Sequence, residues 1–286
     1  MLKEIYCLFK NSKEAPCGLL DFAETIRGCC GLELYSFYGS QCDEAVRRLT
    51  DLQKSTERGF LVIADSLSLF PRAAMPFPII GFGSWGNLNC KYILESFEDL
   101  DSDYPITVYN RYYGLPCEIL KTDRLCVREL TSGDMDALYE IYSDLPAKEF
   151  TEGLNPDRAV FARELQSYID SMYGFFGYGL WAVTEKDSGK LVGRAGFANR
   201  ELDGRNYLEL GYIIGSESRN RGYATEACRA MLEYAADRLY ADEVICLIKE
   251  NNKASLRVAE KLGFRVMEGC AGAYARQGIL VYYRSL

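Results

Sequence analysis

The chain begins with short apolar runs that alternate with helical patterns. The apolar runs lie at residues 5–9 (IYCLF), 32–37, 60–65 (FLVIAD), 77–83 (FPIIGFG) and 92–96. Helical spacing of apolar residues fills roughly 15–28 and 43–58. Strands without internal alternation that are separated by helices indicate a parallel sheet covered on both faces. The pattern therefore predicts a parallel α/β fold for this half, and we expect it to end near residue 117.

A different order of elements follows from about residue 118. A strand at 125–130 precedes two amphipathic helices, which begin near Thr131 and Pro156. Three strand patterns with short glycine-bearing links favour an antiparallel meander over 179–185, 191–199 and 207–215. The remaining predicted elements are helices at about 222–238 and 254–262 and strands at 243–250, 264–268 and 278–284. Residues 118–286 are predicted to form an α+β domain with a mixed, mostly antiparallel sheet.

Composition restricts the chemistry that either half can perform. The chain has 286 residues, a formal net charge of -8, eleven cysteines and no histidine. The negative charge does not favour a nucleic-acid or anionic-membrane partner. Because the apolar runs are too short for a membrane span or a signal peptide, we expect a cytoplasmic protein. The unpatterned cysteines predict reduced thiols, and the lack of histidine excludes most zinc sites and histidine-based nucleophilic catalysis, so we expect no metal.

A glycine pattern in the first half is similar to a phosphate-binding loop. Gly81, Gly83 and Gly86 form GxGxxG after an apolar run. A dinucleotide site requires a helix directly after the glycines and a place in the first strand-helix-strand unit. Here the run is the fourth strand, and the following NLNCKY does not open a long helix. An ordinary tight loop is therefore the favoured interpretation.

Residues 61–100 resemble the last third of a haloacid dehalogenase-type hydrolase. Asp65 matches the first acidic position of that family's metal-binding motif, whereas Leu69 and Phe70 stand where the second acid would fall. The first strand, IYCLF, continues into KNSKE without the family's D-x-D nucleophile pair. Without that nucleophile no phosphoenzyme can form. The resemblance implies a Rossmann-like, non-catalytic domain over residues 1–117, either a docking, dimerisation or ligand-sensing unit or a structural support.

The stretch SESRNRGYATEA, residues 216–227, joins an apolar run to the start of a helix. A helix start offers unpaired backbone N–H groups and a partial positive charge, which suit a pyrophosphate. Gly222 has no Cβ to keep phosphates away, Ala224 keeps the next turn low, and Arg219 and Arg221 add positive charge. The stretch predicts a diphosphate-binding turn, and an ordinary capped helix with surface arginines is the alternative.

From about Leu120 to the C terminus the chain resembles the GNAT superfamily of acyl-CoA N-acyltransferases. The family's pyrophosphate signature, Arg or Gln, two residues, Gly, one residue, Gly or Ala, is met by Arg219, Gly222 and Ala224. A later family pattern, NxxS followed by KLGF, is met within residues 252–264. The opening KTDRLCVRELTSGDMDAL is typical of the branch that includes ribosomal-protein N-terminal acetyltransferases. The resemblance implies a GNAT domain with acetyl-CoA as co-substrate.

The same resemblance implies where the coenzyme binds. In the family, a strand that splays from its neighbour holds the pantetheine arm, and the following turn and helix start hold the diphosphate. An asparagine after the next strand contacts the coenzyme, and it is also a good helix cap. The residues at these positions are Tyr212, Ile213, Ile214, Arg219, Asn220, Arg221, Gly222, Tyr223, Ala224, Thr225, Asn252 and Ser255.

Acyl transfer to an amine needs a proton acceptor for the amine and a donor for the departing thiolate. Glu209 matches the position where many family members keep a general base, and a solvated strand carboxylate is the alternative. Most relatives place a donor tyrosine five residues before the Phe of GF, where this chain has Ala259. Ser255 is the best replacement on the same helix, and Tyr212 and Tyr223 are less favoured.

The acceptor amine is the least defined partner. Substrate selection in the family sits in the first two helices with their connection and in the loop before the last strand, here AGAYARQG. Glu149, Glu152 and Asp157 make the helix connection acidic, which fits a cationic amine as well as a solvated loop. The segment MYGFFGYGLW fits a pocket wall as well as core packing.

These features predict transfer to a small-molecule or peptide amine, with no nucleic-acid or membrane partner. The question of a homodimer stays open. The alternative function is an acyl-CoA-binding sensor without turnover.

Overall fold

A computed structural model of the chain describes residues 1–54, 59–70, 77–83, 90–98, 100–144, 149–151, 153–268, 274 and 276–286. The chain divides into two compact units, Met1–Leu115 and Pro116–Leu286. Each unit has its own hydrophobic core. Separate roles for residues 1–117 and 118–286 stay a prediction.

The first unit is built on a five-stranded parallel sheet. Its strands are β1 (Glu4–Phe9), β2 (Glu33–Tyr38), β3 (Phe60–Ala64), β4 (Ile79–Phe82) and β5 (Ile93–Leu94). They lie in the order β2-β1-β3-β4-β5. The helices are α1 (Leu19–Cys30), α2 (Gln41–Lys54) and α3 (Tyr104–Tyr112), and a 3-10 turn spans Leu67–Leu69.

Both faces of the inner strands β1 and β3 are buried, as their apolar runs predict, whereas the edge strand β2 is partly exposed. On β1, Ile5 and Phe9 pack into a core shared with α1 and α3, whereas Tyr6 and Leu8 pack into a core shared with α2. Successive strand residues point to opposite faces, so a strand covered on both sides is apolar throughout. Helix α3 was not predicted, because its sequence YPITVYNRY is rich in tyrosine and β-branched residues, which favour strands.

The glycine pattern after β4 does not form a phosphate cradle in the part that the structure describes. The backbone N–H of Gly81 donates to the carbonyl of Tyr92 at 2.9 Å, and that of Gly83 donates to the carbonyl of Leu94 at 2.9 Å. Amides engaged in a strand ladder are not available to an anion. The third glycine of the pattern, Gly86, lies outside the described residues.

The second unit contains an eight-stranded sheet. Its strands are β6 (Glu118–Lys121), β7 (Leu125–Arg128), β8 (Leu180–Glu185), β9 (Leu191–Leu202), β10 (Arg205–Ile214), β11 (Glu243–Lys249), β12 (Arg265–Val266) and β13 (Ile279–Ser285). The order is β12-β13-β11-β10-β9-β8-β7-β6. All neighbouring strands are antiparallel except β10 and β11. The sheet is therefore mixed and mostly antiparallel.

Helices cover this sheet on both faces. They are α4 (Met135–Ser143), α5 (Arg158–Tyr168), α6 (Tyr223–Leu239) and α7 (Lys253–Lys261), and a π-helix, Ile169–Phe176, continues α5. Thr131 caps a 3-10 turn before α4 through a capping box with Asp134. The carboxylate of Asp134 also accepts two hydrogen bonds from Arg128, at 2.7 and 2.8 Å. None of the described helices combines the length and the hydrophobicity that a bilayer span needs.

Candidate functional site

The central feature of the second unit is a split between β10 and β11. The two strands pair only at Leu208 with Val244 and at Glu209 with Ile245. Beyond these pairs β10 stays bonded to β9 and β11 to β13. A cavity of about 580 Å³ lies in the opening. The split exposes edge groups of a central strand to a ligand-sized space, which is the arrangement that the sequence analysis expected around residues 212–214.

The cavity extends to the start of α6. Gly222 precedes this helix with φ = 82°, a left-handed conformation that glycine adopts without strain. Asn220 is also left-handed, with φ = 60°. The residue before α6 is a glycine, which has no side chain to accept the first backbone N–H groups of the helix. The start of α6 therefore faces the cavity with its partial positive charge.

The two arginines of this turn are engaged with carboxylates. Arg219 contacts Asp144 at 2.7 Å and donates its Nε–H to the carbonyl of Ile214 at 2.9 Å. Arg221 lies 3.7 Å from Glu185. Each arginine therefore has an acidic neighbour that offsets part of the positive charge it brings to the turn. The start of α6 adds its own partial positive charge at the same place.

A third arginine, Arg124, stabilises the turn from outside the predicted motif. Its guanidinium binds the carboxylate of Glu226 at 2.6 Å and donates to the carbonyl of Arg221 at 3.0 Å. It also lies over the ring of Tyr223, 4.7 Å from the ring centroid. The hydroxyl of Tyr223 donates to Glu185 at 2.5 Å. The hydroxyl of Tyr223 is therefore directed at Glu185, and its place as a less favoured proton donor stays a prediction.

Asn252 caps α7, as one of its two predicted roles requires. Its Oδ1 accepts the N–H of Ser255 at 3.1 Å. Both residues line the cavity. The hydroxyl of Tyr212 crosses from β10 to α7 and lies 3.4 Å from the carbonyl oxygen of Ser255. Burial raises the pKa of Tyr212, so this hydroxyl stays protonated at neutral pH. Ala259, one helical turn further, is buried.

Glu209 lies at the closed end of the split, where β10 and β11 are still paired. Its side chain is on the opposite face of the sheet from that of Tyr212, because the two residues are three apart on one strand. Directly opposed residues of paired strands share a face. Ile213, on the same face as Glu209, is opposite Arg194, and Arg194 donates to the hydroxyl of Tyr142 in α4 at 3.3 Å. The α4 side therefore carries Glu209, and the α7 side carries Tyr212.

Most of the predicted site residues meet at the cavity. Those lining it are Tyr212, Ile213, Ile214, Arg219, Asn220, Gly222, Tyr223, Ala224, Thr225, Asn252 and Ser255. Of the predicted residues, Arg221 and Glu209 are not among those that line it within the described part of the chain. The lining residues that sequence reasoning missed include Phe150, Thr151, Cys246, Lys249 and Arg257. They carry no motif and become neighbours only through the tertiary fold.

The connection after α4 reaches the rim of the cavity. Lys249 donates to the backbone carbonyl of Glu149 at 2.6 Å, and the side-chain amide of Asn251 donates to the carboxylate of Glu149 at 2.7 Å. Asp157 caps α5 by accepting the N–H groups of Ala159 and Val160. Two of the predicted acids thus take part in hydrogen bonds, Glu149 with a distant segment and Asp157 within its own helix. The third, Glu152, lies outside the described residues.

The aromatic segment after α5 divides between core and surface. Tyr173 is buried and donates its hydroxyl proton to the carbonyl of Leu180 at 2.7 Å. Phe175 and Phe176 are exposed, 78% and 46% respectively. The segment therefore matches neither of the two sequence interpretations along its whole length.

Known proteins resemble the second unit. An acetyltransferase (GNAT) domain model matches residues 124–265. The uncharacterized protein YkkB of Bacillus subtilis (strain 168) is 30% identical over 145 residues, which cover 50% of this chain and 83% of YkkB. The chain belongs to the GNAT acetyltransferase family. As a member it is an acyltransferase, and the family uses acetyl-CoA.

Two further comparisons support the assignment. The uncharacterized N-acetyltransferase YnaD of Bacillus subtilis (strain 168) is 27% identical over 146 residues, covering 51% of this chain and 82% of YnaD. A solved structure of RimL, a ribosomal L7/L12 alpha-N-protein acetyltransferase, aligns with a TM-score of 0.50 and 15% identity, covering 60% of this chain and 96% of that one. At this identity the second comparison shows the GNAT fold alone. Across the described ranges, no group of three or more acidic, cysteine or histidine side chains could hold a metal ion.

Proposed function

We propose that this GNAT acetyltransferase transfers the acetyl group of acetyl-CoA to a primary amine of a small molecule or of a protein N terminus. The observation that carries the proposal is the cavity between β10 and β11, which runs from the strand split to the open start of α6. A strand edge, a helix start and a space of about 580 Å³ suit a long ligand with an anionic middle. Eleven of the predicted residues line this one space.

The coenzyme would lie along these residues in the order that their chemistry suggests. Backbone groups of Tyr212–Ile214 would hold the pantetheine arm, and the amides around Gly222 would hold the diphosphate. Asn252 would contact the coenzyme while it caps α7. The paired arginines Arg219 and Arg221 would shape the turn more than they attract the phosphates.

The reaction would be direct attack of the amine nitrogen on the thioester carbonyl. A C–N bond forms, the C–S bond breaks, and the amine nitrogen loses a proton to a base while the thiolate takes one from a donor. Glu209, on the α4 side of the split, is the proposed base. Ser255, in the first turn of α7, is the donor proposed from the sequence, and the buried hydroxyl of Tyr212 lies beside it.

A protein N terminus is a candidate acceptor because RimL, which shares the fold, is described as acting on a ribosomal protein. Membership of the ribosomal-protein branch is part of this proposal, and it rests mainly on the opening motif at residues 121–138. A sensor without turnover gains no support from the site or from the relatives. A cytoplasmic location, a homodimer and the absence of nucleic-acid partners stay predictions from the sequence.

For the first unit we propose a Rossmann-like, non-catalytic domain related to haloacid dehalogenase-type hydrolases. Its support is the parallel sheet and the place of Asp65, which follows β3 and accepts the N–H groups of Lys10 and Asn11 after β1, at 2.8 and 2.9 Å. These three residues lie at the carboxyl ends of β1 and β3. The chain reverses its direction of winding between these two strands, and open α/β sheets bind ligands at such a position. The unit would therefore sense a ligand, dock a partner or support the fold.

Calorimetric titration with acetyl-CoA, beside a Gly222→Glu variant, tests the proposal. Binding that the variant abolishes supports the diphosphate position, because a carboxylate at the helix start would repel the phosphates. Transfer is then followed by mass spectrometry of a panel of amines and N-terminal peptides, since the eleven cysteines would interfere with thiol reagents. If the native protein does not bind acetyl-CoA, the proposal fails.

A further inference from the structure

Glu209 occupies the last paired position before β10 and β11 separate. The next residue of β11, Cys246, lines the coenzyme cavity. Burial raises the pKa of the Cys246 thiol, and the negative charge of Glu209 raises it further. The charge of Glu209 therefore acts on Cys246 in the wall of the cavity, although the carboxylate itself lies on the α4 side of the sheet.

The carboxylate has a partner on the neighbouring strand. Arg200 of β9 donates its Nε–H to Oε2 of Glu209 at 2.7 Å. Ala198 is directly opposite Glu209, so Arg200 is its diagonal neighbour on the same face. The side chain of Glu209 is 16% exposed and that of Arg200 is 42% exposed. The hydrogen bond to Glu209 is also the main reason why the pKa of Arg200 is raised.

We propose that Arg200 is a positioning residue for acetyl transfer, which pairs with the carboxylate of Glu209 and keeps it aimed at the point where the strands separate. The inference rests on the proposed role of Glu209 as the base. A carboxylate accepts a proton only in its ionised form, and burial without a positive partner favours the neutral form. Arg200 binds Oε2, which leaves the lone pairs of Oε1 for the proton of the amine or of a bridging water.

The other ionisable groups around the pair do not replace this charge. Cys246 of β11 points to the opposite face of the sheet from Glu209, and its raised pKa keeps the thiol neutral. Tyr274 is hydrogen-bonded to Arg200, and a tyrosine is uncharged at neutral pH. Among the described residues Arg200 is thus the cation that forms an ion pair with Glu209.

The chain offers a matched control on the same hairpin. Arg205 at the start of β10 forms an ion pair with Glu243 at the start of β11. Its side chain is 66% exposed, and it lies over the ring of Tyr207. Replacing Arg205 removes an arginine from the same face of the same sheet. It leaves the ion pair between Arg200 and Glu209 in place.

The experiment measures kcat/KM against pH for the native protein, Arg200→Gln, Arg200→Met, Arg200→Lys and the control Arg205→Gln, with thermal unfolding of each. Without the positive charge of Arg200, the ionised form of Glu209 is less favoured. The acid limb of the kcat/KM profile should therefore move to higher pH by about one unit in Arg200→Gln and Arg200→Met. This is the lower end of the usual effect of an opposite charge, because Arg200 is partly exposed. Arg200→Lys should restore most of the native profile, and Arg205→Gln should leave it unmoved. Arg200→Met keeps the aliphatic stem, so it serves if Arg200→Gln does not fold.

A Glu209→Gln series separates this inference from the proposed function. If Glu209→Gln removes most turnover but the profiles of Arg200→Gln and Arg200→Met keep the native acid limb, Arg200 is only structural and the inference is wrong. If Glu209→Gln leaves turnover unchanged, Glu209 is not the base and both statements are overturned. If the shift appears with native Glu209 and disappears in the Glu209→Gln background, the inference is supported.

Discussion

The guanidinium of Arg219 lies 2.7 Å from the carboxylate of Asp144, and this pair ties the end of α4 to the turn before α6. Asp144 directly follows α4, and the Nε–H of Arg219 also binds the carbonyl of Ile214 at the end of β10. The end of α4, the end of β10 and the turn before α6 thus meet at one side chain. The first arginine of the family signature therefore acts here as a structural brace for the turn before α6.

The two arginines of the turn should differ in their effect on stability. Arg219→Met should lower the free energy of unfolding by about 1 to 3 kcal/mol, because a partly buried carboxylate and a carbonyl lose a charged donor. It should also weaken acetyl-CoA binding by roughly tenfold, since about 1.4 kcal/mol of distortion suffices for that. Calorimetric titration and urea unfolding measure the two effects. Arg221→Met is the control, because its side chain is 55% exposed and its partner is 3.7 Å away; equal losses in both variants would contradict the brace.

Gly222 should be required for coenzyme binding beyond its effect on stability. Its φ of 82° disfavours any residue with a Cβ, and a Cβ would lie 3.4 Å from Nη2 of Arg124. Gly222→Ala should therefore cost about 1 kcal/mol of folding free energy and weaken acetyl-CoA binding, as calorimetry would measure. Gly263→Ala is matched, because Gly263 has φ = 78° with open space around it and does not border this cavity. If both variants bind acetyl-CoA equally well, the diphosphate does not lie at Gly222.

Sequence patterns were enough for most strands of the two sheets and for eleven of the residues that line the cavity. Parallel strands were predictable because β3 is apolar at every position and β1 is apolar from Ile5 to Phe9, and the meander was predictable from its short glycine-bearing links. The turn before α6 was predictable because a left-handed glycine before a helix leaves a local signature at Gly222.

Contacts between distant segments were not predictable. Arg219 with Asp144, Arg124 with Glu226 and Arg200 with Glu209 each join residues whose partners no local pattern specifies. The first two of these pairs offset part of the positive charge around the turn before α6. Counting arginines along the sequence therefore overestimates how strongly their side chains attract an anion to this turn. It also underestimates the contribution of the backbone N–H groups.

Substitutions at Asn252 should separate its cap from its contact with the coenzyme. Asn252→Ala removes the bond to the Ser255 amide and should cost about 1 kcal/mol of folding free energy. Asn252→Asp keeps a capping oxygen, so stability should be retained, but it adds a negative charge to the cavity wall and should weaken acetyl-CoA binding. Thermal unfolding and calorimetric titration of both variants check this. Native affinity in Asn252→Asp would mean that Asn252 is a cap alone.

Stability of the second unit should depend on pH through Asp134. Burial alone would raise the pKa of Asp134, but bonds from Arg128 and Thr131 outweigh it and lower the pKa below its usual value. A lowered pKa in the folded state adds stability above the unfolded value of about 3.9, and this stability is lost as the pH falls through the folded value. Asp134→Asn should therefore cost about 3 kcal/mol at pH 7, and the difference from the native protein should shrink below about pH 4.

Urea unfolding of this pair at several pH values can be followed by the fluorescence of the buried Trp181 in a Trp85→Phe background, which leaves one tryptophan. Asp136→Asn is the control, because Asp136 pairs with Arg158 in an exposed position and such pairs contribute little. A constant difference between native protein and Asp134→Asn from pH 7 to pH 3 would contradict the linkage.

Tyr212 and Ser255 compete for the role of proton donor, and the structure allows them to be separated. The hydroxyl of Tyr212 points at α7 from inside the cavity, and its contact with the Ser255 carbonyl is long, at 3.4 Å, so little stability depends on it. Tyr212→Phe keeps the ring and should lower kcat by at least tenfold, with small changes in the unfolding temperature and in acetyl-CoA affinity, if the hydroxyl stabilises the departing thiolate. Ser255→Ala should then lower kcat by less than Tyr212→Phe. The reverse order, measured by mass spectrometry of the acetylated product, would return the role to Ser255.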